Sequence, residues 1–135
     1  ANIEGVDFYN DSKGTNVGAT VAAVEGLGEH IPGHIVLIAG GIAKGANFAA
    51  LVPAMNKWGK VLILIGQDAA EIASYFDKET QTYFASDMHD AARVALQHST
   101  AGDAVLLSPA CASFDMFENF QHRGFAFMKS VETLQ

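Results

Sequence analysis

Three short segments hold most of the side chains in this sequence that can bind or activate a ligand. Residues 10–16, NDSKGTN, combine an acid, a lysine, two hydroxyls and two amides, and residues 40–45, GGIAKG, place one lysine among glycines. Residues 106–124, LLSPACASFDMFENFQHRG, run from an apolar stretch through small residues toward a helix. A strand that leads through such a turn into a helix leaves backbone N–H groups free to hold an anion. The third segment therefore has the arrangement of an anion-binding turn.

The polar residues of the first segment each have a structural and a functional interpretation. Asp11 can bond nearby backbone amides, or it can accept two hydrogen bonds from a ribose diol. Lys13 is either a solvated lysine or a charge beside a nucleotide phosphate or acyl phosphate. Thr15 or Asn16 is expected to cap the following helix. Composition alone leaves these interpretations open.

The second and third segments lack the patterns of several common sites. GGIAKG is not a P-loop, and no GxGxxG fingerprint is present, so Lys44 is either an exposed turn lysine or a partner for a carboxylate. Cys111 is expected to be a small buried thiol, because only His122 lies nearby in sequence to activate it. Ser113 and Asp115 are expected to cap a helix that begins near residue 115. The five histidines show no zinc spacing, so we expect no metal site.

Strands and helices alternate along the chain. Three of the predicted strands are nearly continuous apolar runs, which is typical of a parallel sheet covered on both faces. We predict an α/β, Rossmann-like doubly wound fold, with a mostly parallel sheet of about five to six strands and helices on both faces. Because ligands of such sheets bind beyond the carboxyl ends of the strands, the three segments should meet there. The predicted strands are 6–9, 34–39, 60–65, 82–85 and 104–107, and the predicted helices are 15–27, 48–58, 69–76, 87–98 and 116–133.

Size and composition limit the possible partners. The chain has 135 residues, one cysteine and a formal net charge of −7. We expect a single domain, residues 1–135, from a reducing cytoplasm and without a disulfide framework. The negative charge argues against nucleic acid, and no apolar stretch reaches the ~18 residues that span a bilayer. Because the chain starts at Ala1 rather than Met, we expect it to be excised from a longer protein.

All three segments resemble motifs of one family, in the same order. Residues 10–16 resemble an NDSKATN motif, residues 40–45 a glycine-lysine loop, and residues 106–124 the SPACAS-x-D-x-F-x-N-F-x-x-RG signature of the bacterial Mur ligases, in particular their D-glutamate-adding branch. The third motif is highly specific, the first moderately so, and the second means little alone. The family has a UDP-binding domain, a central ATPase domain and a Rossmann-like C-terminal domain. The chain resembles only the last, so the missing P-loop is expected.

The resemblance implies which residues bind the incoming amino acid. Lys44 would pair with a carboxylate of D-glutamate, and Thr15 and Ser113 would hydrogen-bond the same molecule. Phe114 and Phe120 would border the pocket.

A second set of roles concerns the nucleotide. Asp11 would bind the ribose of ATP, and Lys13, the candidate catalytic residue, would lie near the phosphates and the reacting carboxyl. The chain departs from the family pattern at Gly14, where alanine is commoner, and at Ile42 and Ala43, where an acidic or polar residue often precedes the lysine.

The implied reaction is ATP-dependent amide formation in peptidoglycan synthesis. ATP and Mg²⁺ convert the L-alanine carboxylate of UDP-N-acetylmuramoyl-L-alanine into an acyl phosphate, with release of ADP. The D-glutamate amine then displaces phosphate to form the amide. Mg²⁺ and the γ-phosphate are held mainly by the central domain, so this domain alone is expected to be inactive. The full enzyme is expected to be a cytoplasmic monomer.

Two other interpretations remain open. One is a folate-type or other Mur ligase C-terminal domain, against which the SPACAS-type signature argues. The other is a stand-alone flavodoxin-like or receiver-like binding module. A receiver needs an acidic cluster at its strand ends, whereas only Asp68 follows the third predicted strand. Residues 12–16 only loosely approximate a flavin phosphate loop.

Overall fold

The computed structural model describes residues 1–77, 80–113 and 115–135. This described part contains six strands and five helices. The strands are β1 (Asn2–Ile3), β2 (Val6–Asn10), β3 (Ile35–Gly40), β4 (Gly59–Ile65), β5 (Gln81–Phe84) and β6 (Ala104–Leu107). The helices are α1 (Val17–Gly28), α2 (Leu51–Trp58), α3 (Ala69–Ala73), α4 (Met88–Gln97) and α5 (Phe120–Leu134). None of these described helices is both long enough and apolar enough to cross a membrane.

The strands form one sheet in the order β1-β2-β6-β3-β4-β5. Only β1 is antiparallel to its neighbour within the described sheet, and all other pairs are parallel. The predicted mostly parallel α/β fold is therefore confirmed. β1 has no counterpart among the predicted elements, because two residues are too few to show a hydrophobic period.

Alternate positions along the strands face two separate cores. In β3, Leu37 packs with α1, α2 and α3, whereas Val36 and Ile38 pack with α4 and α5. Every residue of β3 is buried, as expected for a strand covered on both faces. The helices on both faces leave the edge formed by the carboxyl ends of the strands open for loops.

Asn16 fixes the start of α1. Its Oδ1 accepts a hydrogen bond from Ala19 N at 2.8 Å, while its own backbone stays extended. This is the geometry of a helix N-cap, so Asn16 rather than Thr15 caps the helix. The side chain of Thr15 is thereby left exposed for another partner.

Asn119 fixes the start of α5 in the same way. Its Oδ1 accepts a hydrogen bond from His122 N at 2.8 Å, and the helix begins at Phe120. The expected helix start near residue 115 is wrong, and so is the expectation that Ser113 or Asp115 is the cap. The carbonyl of Ser113 instead closes a separate turn. The segment between β6 and α5 is consequently longer than the sequence indicated.

Candidate functional site

Three loops leave the carboxyl ends of adjacent parallel strands. Loop 1 (residues 10–16) follows β2, loop 2 (residues 40–47) follows β3, and loop 3 (residues 108–119) follows β6. Since β6 lies between β2 and β3 in the sheet, loop 3 lies between the other two loops. The three segments that the sequence singled out therefore meet at one edge, as predicted.

Backbone hydrogen bonds join loop 3 to both of its neighbours. Ala110 N donates to Gly14 O at 2.8 Å, and Ile42 N donates to Ala112 O at 3.0 Å. Ala110 has a φ of +63°, a left-handed conformation that is uncommon for a residue with a side chain. The conformation of loop 3 is thus coupled to that of loops 1 and 2.

Asp11 is half-buried within loop 1. Ser108 Oγ donates to Asp11 Oδ2 at 2.8 Å and lies 3.1 Å from Thr20 Oγ1. A Cβ at Gly14 would come within 2.6 Å of Ser108 Oγ and 2.9 Å of Asp11 Oδ2. The glycine that departs from the family motif therefore makes room for this hydroxyl and carboxylate. Among the described residues, Oδ2 is the Asp11 carboxylate oxygen that accepts the hydrogen bond from Ser108 Oγ.

Lys44 lies in a loop rich in left-handed backbone. Its φ is +52°, followed by +72° at Gly45, and Gly40 and Gly41 have φ values of +125° and +138°. Left-handed backbone at a residue with a Cβ is unfavourable and persists where the surroundings hold it in place. The exposed Lys44 and Thr15 line one cleft of about 320 Å³. Two of the residues expected to bind the amino acid are thus brought together.

Lys13 and Phe120 border a different cleft, of about 390 Å³, at the start of α5. Asn10 and Phe125 also line it. The side chain of Phe120 is 38% exposed, and its carbonyl accepts a hydrogen bond from Ser12 Oγ at 2.6 Å. The residues expected from the sequence are therefore divided between two neighbouring clefts.

Ser113 and Phe114 are the remaining expected pocket residues. Ser113 is buried within loop 3 and lines neither of these two clefts. Phe114 lies outside the described residues. Their part in substrate binding stays a prediction.

Arg123 is a buried arginine whose role was not predicted from the sequence. It is 1% exposed, and it donates through Nη2 to Ser12 O at 2.7 Å and through Nη1 to Cys111 O at 2.9 Å. Burial lowers the pKa of Arg123 to about 10, so the side chain remains charged at neutral pH. Its only signal in the sequence is the Arg-Gly pair that ends the third motif.

Cys111 is buried among apolar residues. Burial raises the pKa of its thiol to about 12, so the thiol is protonated at neutral pH and is a poor nucleophile. The expectation of a small packed thiol is confirmed. Across the described ranges, no three His, Cys, Asp or Glu side chains come together as a possible metal site.

The sequence family described as "Mur ligase, glutamate ligase domain" matches residues 1–111, which is most of the chain. This chain belongs to the Mur ligase family. The match includes loops 1 and 2 and the start of loop 3, whereas the rest of loop 3 and α5 follow the matched residues. The resemblance drawn from the three motifs is thereby confirmed.

Named ligases of several bacteria are similar to this Mur ligase domain. The UDP-N-acetylmuramoylalanine--D-glutamate ligase of Coxiella burnetii is 50% identical over 129 residues, which are 96% of this chain and 29% of that ligase. The ligases of the same name from Bordetella parapertussis and Nitrosospira multiformis are 52% and 48% identical, over 96% and 100% of this chain and 25% and 28% of their own lengths. The chain thus spans less than a third of these relatives.

Two solved structures share the fold. A domain of a UDP-N-acetylmuramate:L-alanyl-gamma-D-glutamyl-medo-diaminopimelate ligase from Haemophilus ducreyi aligns with a TM-score of 0.67 and 14% identity, over 100% of this chain and 96% of that one. The bifunctional folylpolyglutamate synthase/dihydrofolate synthase of Yersinia pestis, complexed with AMPPNP and Mn ion, aligns with a TM-score of 0.59 and 19% identity, over 87% of this chain and 27% of that one. At 14% and 19% sequence identity, these two alignments show a shared fold and nothing about function.

Proposed function

We propose that this chain is the D-glutamate-binding domain of an ATP-dependent ligase that joins D-glutamate to UDP-N-acetylmuramoyl-L-alanine in peptidoglycan synthesis. The observation that carries the proposal is the cleft shared by Lys44 and Thr15, in a chain that is 50% identical to a named D-glutamate ligase. Since the chain spans only 29% of that relative, the full-length enzyme rather than this domain would carry out the reaction.

The cleft suits an amino acid with two carboxylates. Lys44 would pair with one carboxylate of D-glutamate, a charge-assisted hydrogen bond worth about 1.5–3 kcal/mol. Thr15, which is not needed as the cap of α1, would donate its hydroxyl to the same substrate. The family pattern implies that Ser113, Phe114 and Phe120 also contact the amino acid, although Ser113 and Phe120 do not line this cleft.

The nucleotide would approach loop 1. Oδ1 of Asp11 would accept a hydrogen bond from a ribose hydroxyl, and the exposed Lys13 would lie near the phosphates and the reacting carboxyl. ATP, with Mg²⁺, supplies the phosphoryl group that activates the L-alanine carboxylate. Both would be held mainly by the central domain of the full-length enzyme, which we propose to act as a cytoplasmic monomer.

Steady-state kinetics of the full-length enzyme test the amino-acid site. Lys44→Ala should raise the KM for D-glutamate by roughly 10- to 100-fold, because the charge-assisted bond is lost. Lys57→Ala is the matched control, since Lys57 lies over the Trp58 ring at 4.8 Å, away from the three loops. An unchanged KM for D-glutamate in the Lys44 variant would contradict the proposal.

A substrate competition separates the proposed function from that of a folate-type ligase. D-glutamate and L-glutamate are offered together to the full-length enzyme with ATP and UDP-N-acetylmuramoyl-L-alanine. We expect incorporation of the D-isomer. Preferential use of L-glutamate would contradict the proposed specificity, and incorporation of neither isomer would favour the folate-type alternative.

A further inference from the structure

Asp68, in the turn after β4, holds loop 2 from both sides. Its Oδ2 accepts a hydrogen bond from Ala43 N at 2.8 Å, and its own backbone N donates to Gly41 O at 3.1 Å. The two contacts flank Ile42 and end one residue before Lys44. Asp68 is thus the side chain in contact with the part of loop 2 that leads directly into the lysine.

The carboxylate of Asp68 is used in an unusual way for its position. Asp68 is the N-cap residue of α3, where an aspartate ordinarily accepts a hydrogen bond from an amide of its own helix. α3 has no such side-chain cap. The carboxylate is bonded to Ala43 N instead, so its contact serves loop 2 rather than the helix that it begins.

Loop 2 needs such a contact because its backbone is strained. Lys44 and Gly45 are both left-handed, at φ values of +52° and +72°. A lysine adopts this conformation only where neighbouring groups determine it. The direction in which the Lys44 side chain leaves the loop depends on that conformation.

Asp115 extends the same network to loop 3. Its Oδ2 accepts a hydrogen bond from Gln67 N at 2.7 Å, beside Gly66, whose φ is +86°. Its Oδ1 is buried and has no hydrogen-bond partner among the described residues. The two aspartates therefore link loop 3 to loop 2 through the turn at 66–68.

We infer that Asp68 is a positioning residue that holds Lys44 in the orientation needed to bind a carboxylate of the incoming amino acid. This inference rests on the proposed function of the Thr15–Lys44 cleft. Asp68 is not among the described residues that line the cleft, and it acts through its contacts with the backbone of Gly41 and Ala43.

Kinetics of the full-length enzyme test the inference. Asp68→Ala should raise the KM for D-glutamate by about tenfold, while the KM for ATP stays within about twofold, because a hydrogen bond from Ala43 N to a charged group is lost. Asp68→Asn keeps an acceptor oxygen and should restore most of the affinity. Asp68→Ser places a good helix-capping residue before α3 but is too short to reach Ala43, so it replaces the alanine variant if that variant does not fold.

Asp87 provides the matched control. It is the N-cap of α4 and bonds its own helix, with Oδ1 accepting from Asp90 N at 2.8 Å. Asp87→Ala should lower stability because it loses the same kind of hydrogen bond from a backbone amide to a carboxylate, but it should leave the KM for D-glutamate unchanged. Equal effects of the Asp68 and Asp87 variants on that KM would overturn the inference.

Hydrogen exchange of the Ala43 amide separates this inference from the proposed function. We expect faster exchange at Ala43 in Asp68→Ala than in Asp68→Asn. If Lys44→Ala raises the KM and Asp68→Ala does not, the positioning role fails and the proposed function stands. If Lys44→Ala has no effect, the proposed function fails and the positioning role in substrate binding fails with it, while accelerated exchange at Ala43 would still show that Asp68 holds loop 2.

Discussion

Nη2 of Arg123 lies 2.7 Å from the carbonyl oxygen of Ser12, although the two residues are 111 positions apart in the chain. The same guanidinium donates through Nε to Ser12 Oγ at 3.0 Å and through Nη1 to Cys111 O at 2.9 Å. One buried side chain thereby fastens loop 1 and loop 3 to the first turn of α5. Its planar fork of donors is suited to bonding several oxygens at once.

Arg123→Met should lower the free energy of unfolding by about 2–5 kcal/mol, because the carbonyls of Ser12 and Cys111 lose buried hydrogen bonds. Arg123→Lys should have a free energy of unfolding between those of the wild type and the methionine variant, since lysine keeps the charge but not the planar set of donors. Urea unfolding measures both. The control is Arg93→Met, at an exposed pair with Asp90, which should change stability by about 0.5 kcal/mol or less. A methionine variant as stable as the wild type would contradict this role.

Arg123 also illustrates where prediction from the sequence ends. Apolar runs such as β3, alternating with helices, were enough to predict a parallel sheet covered on both faces and the edge where the loops meet. The partners of Arg123 are backbone carbonyls of loops 1 and 3, and carbonyl positions depend on which strands are neighbours. That β6 lies between β2 and β3 is set by the packing of the whole chain.

The start of α5 shows a similar limit on a smaller scale. Ser113, Asp115 and Asn119 are all good N-cap residues, so local preference does not choose among them. The choice is made by packing, because Arg123 and Gly124 must face loop 1 for their contacts to form. The role of Asp68 escaped prediction for a related reason, since an aspartate before a helix ordinarily indicates a cap.

Cys111 should react slowly with iodoacetamide in the folded protein. Burial raises the pKa of its thiol from 9.0 to about 12, so at pH 8 the folded state holds roughly 1,000-fold less thiolate than the unfolded state. Alkylation followed by mass spectrometry, with and without urea, measures the difference. Labelling of the folded protein as fast as that of the unfolded protein would show that loop 3 exposes this residue.

The same pKa shift gives stability a dependence on alkaline pH. Above pH 9 the unfolded thiol ionises while folded Cys111 keeps its proton, so the folded state binds more protons and stability falls as the pH rises toward 12. Cys111→Ala lacks this titration. The stability of the wild type relative to this variant should therefore decline above pH 9, as measured by urea unfolding at pH 8 and pH 10.5. A constant difference would contradict the assignment.

Asp103 joins the amino ends of the central strands. It is 5% exposed, and it accepts hydrogen bonds from His34 N at 2.9 Å and Thr100 N at 2.8 Å and pairs with Lys60 Nζ at 2.5 Å. Asp103→Ala should lower the free energy of unfolding by about 2–4 kcal/mol, because two amides lose a charged acceptor and Lys60 loses its partner. Asp103→Asn should cost less, since it keeps one acceptor oxygen.

Acid titration tests the electrostatic part of that contribution. Burial disfavours the Asp103 carboxylate, but the amide of His34, the Lys60 ammonium and the amide of Thr100 more than offset this and hold the pKa below its ordinary value of 3.8. The stabilisation is therefore fully present above that ordinary value and is lost as the pH falls through the lowered pKa. The gap in stability between the wild type and Asp103→Asn should be constant at neutral pH and shrink below about pH 4. A gap that persists at pH 2 would contradict the pKa shift.

Two helical glycines give opposite predictions for the same substitution. A Cβ added at Gly26 in α1 would meet no heavy atom of the described residues within 4 Å, so Gly26→Ala should stabilise the domain by about 0.5–1 kcal/mol through helix propensity. A Cβ at Gly124 in α5 would lie 2.9 Å from Asn10 Nδ2 and 3.0 Å from Ser12 Cβ. Gly124→Ala should therefore destabilise the domain by about 1–2 kcal/mol, although alanine is a better helix former than glycine.

The Gly124 variant should also disturb loop 1 locally. Asn10 Oδ1 accepts a hydrogen bond from Ser12 N at 3.0 Å, and a methyl group at position 124 pushes this side chain away. Amide hydrogen exchange at Ser12 should accelerate in Gly124→Ala and stay unchanged in Gly26→Ala. Because Ser12 O also accepts a hydrogen bond from Arg123, displacing Ser12 should weaken that hydrogen bond between loop 1 and α5 as well. If the two alanine variants were equally stable, α5 would not pack closely against loop 1, and the Arg-Gly pair would need another explanation.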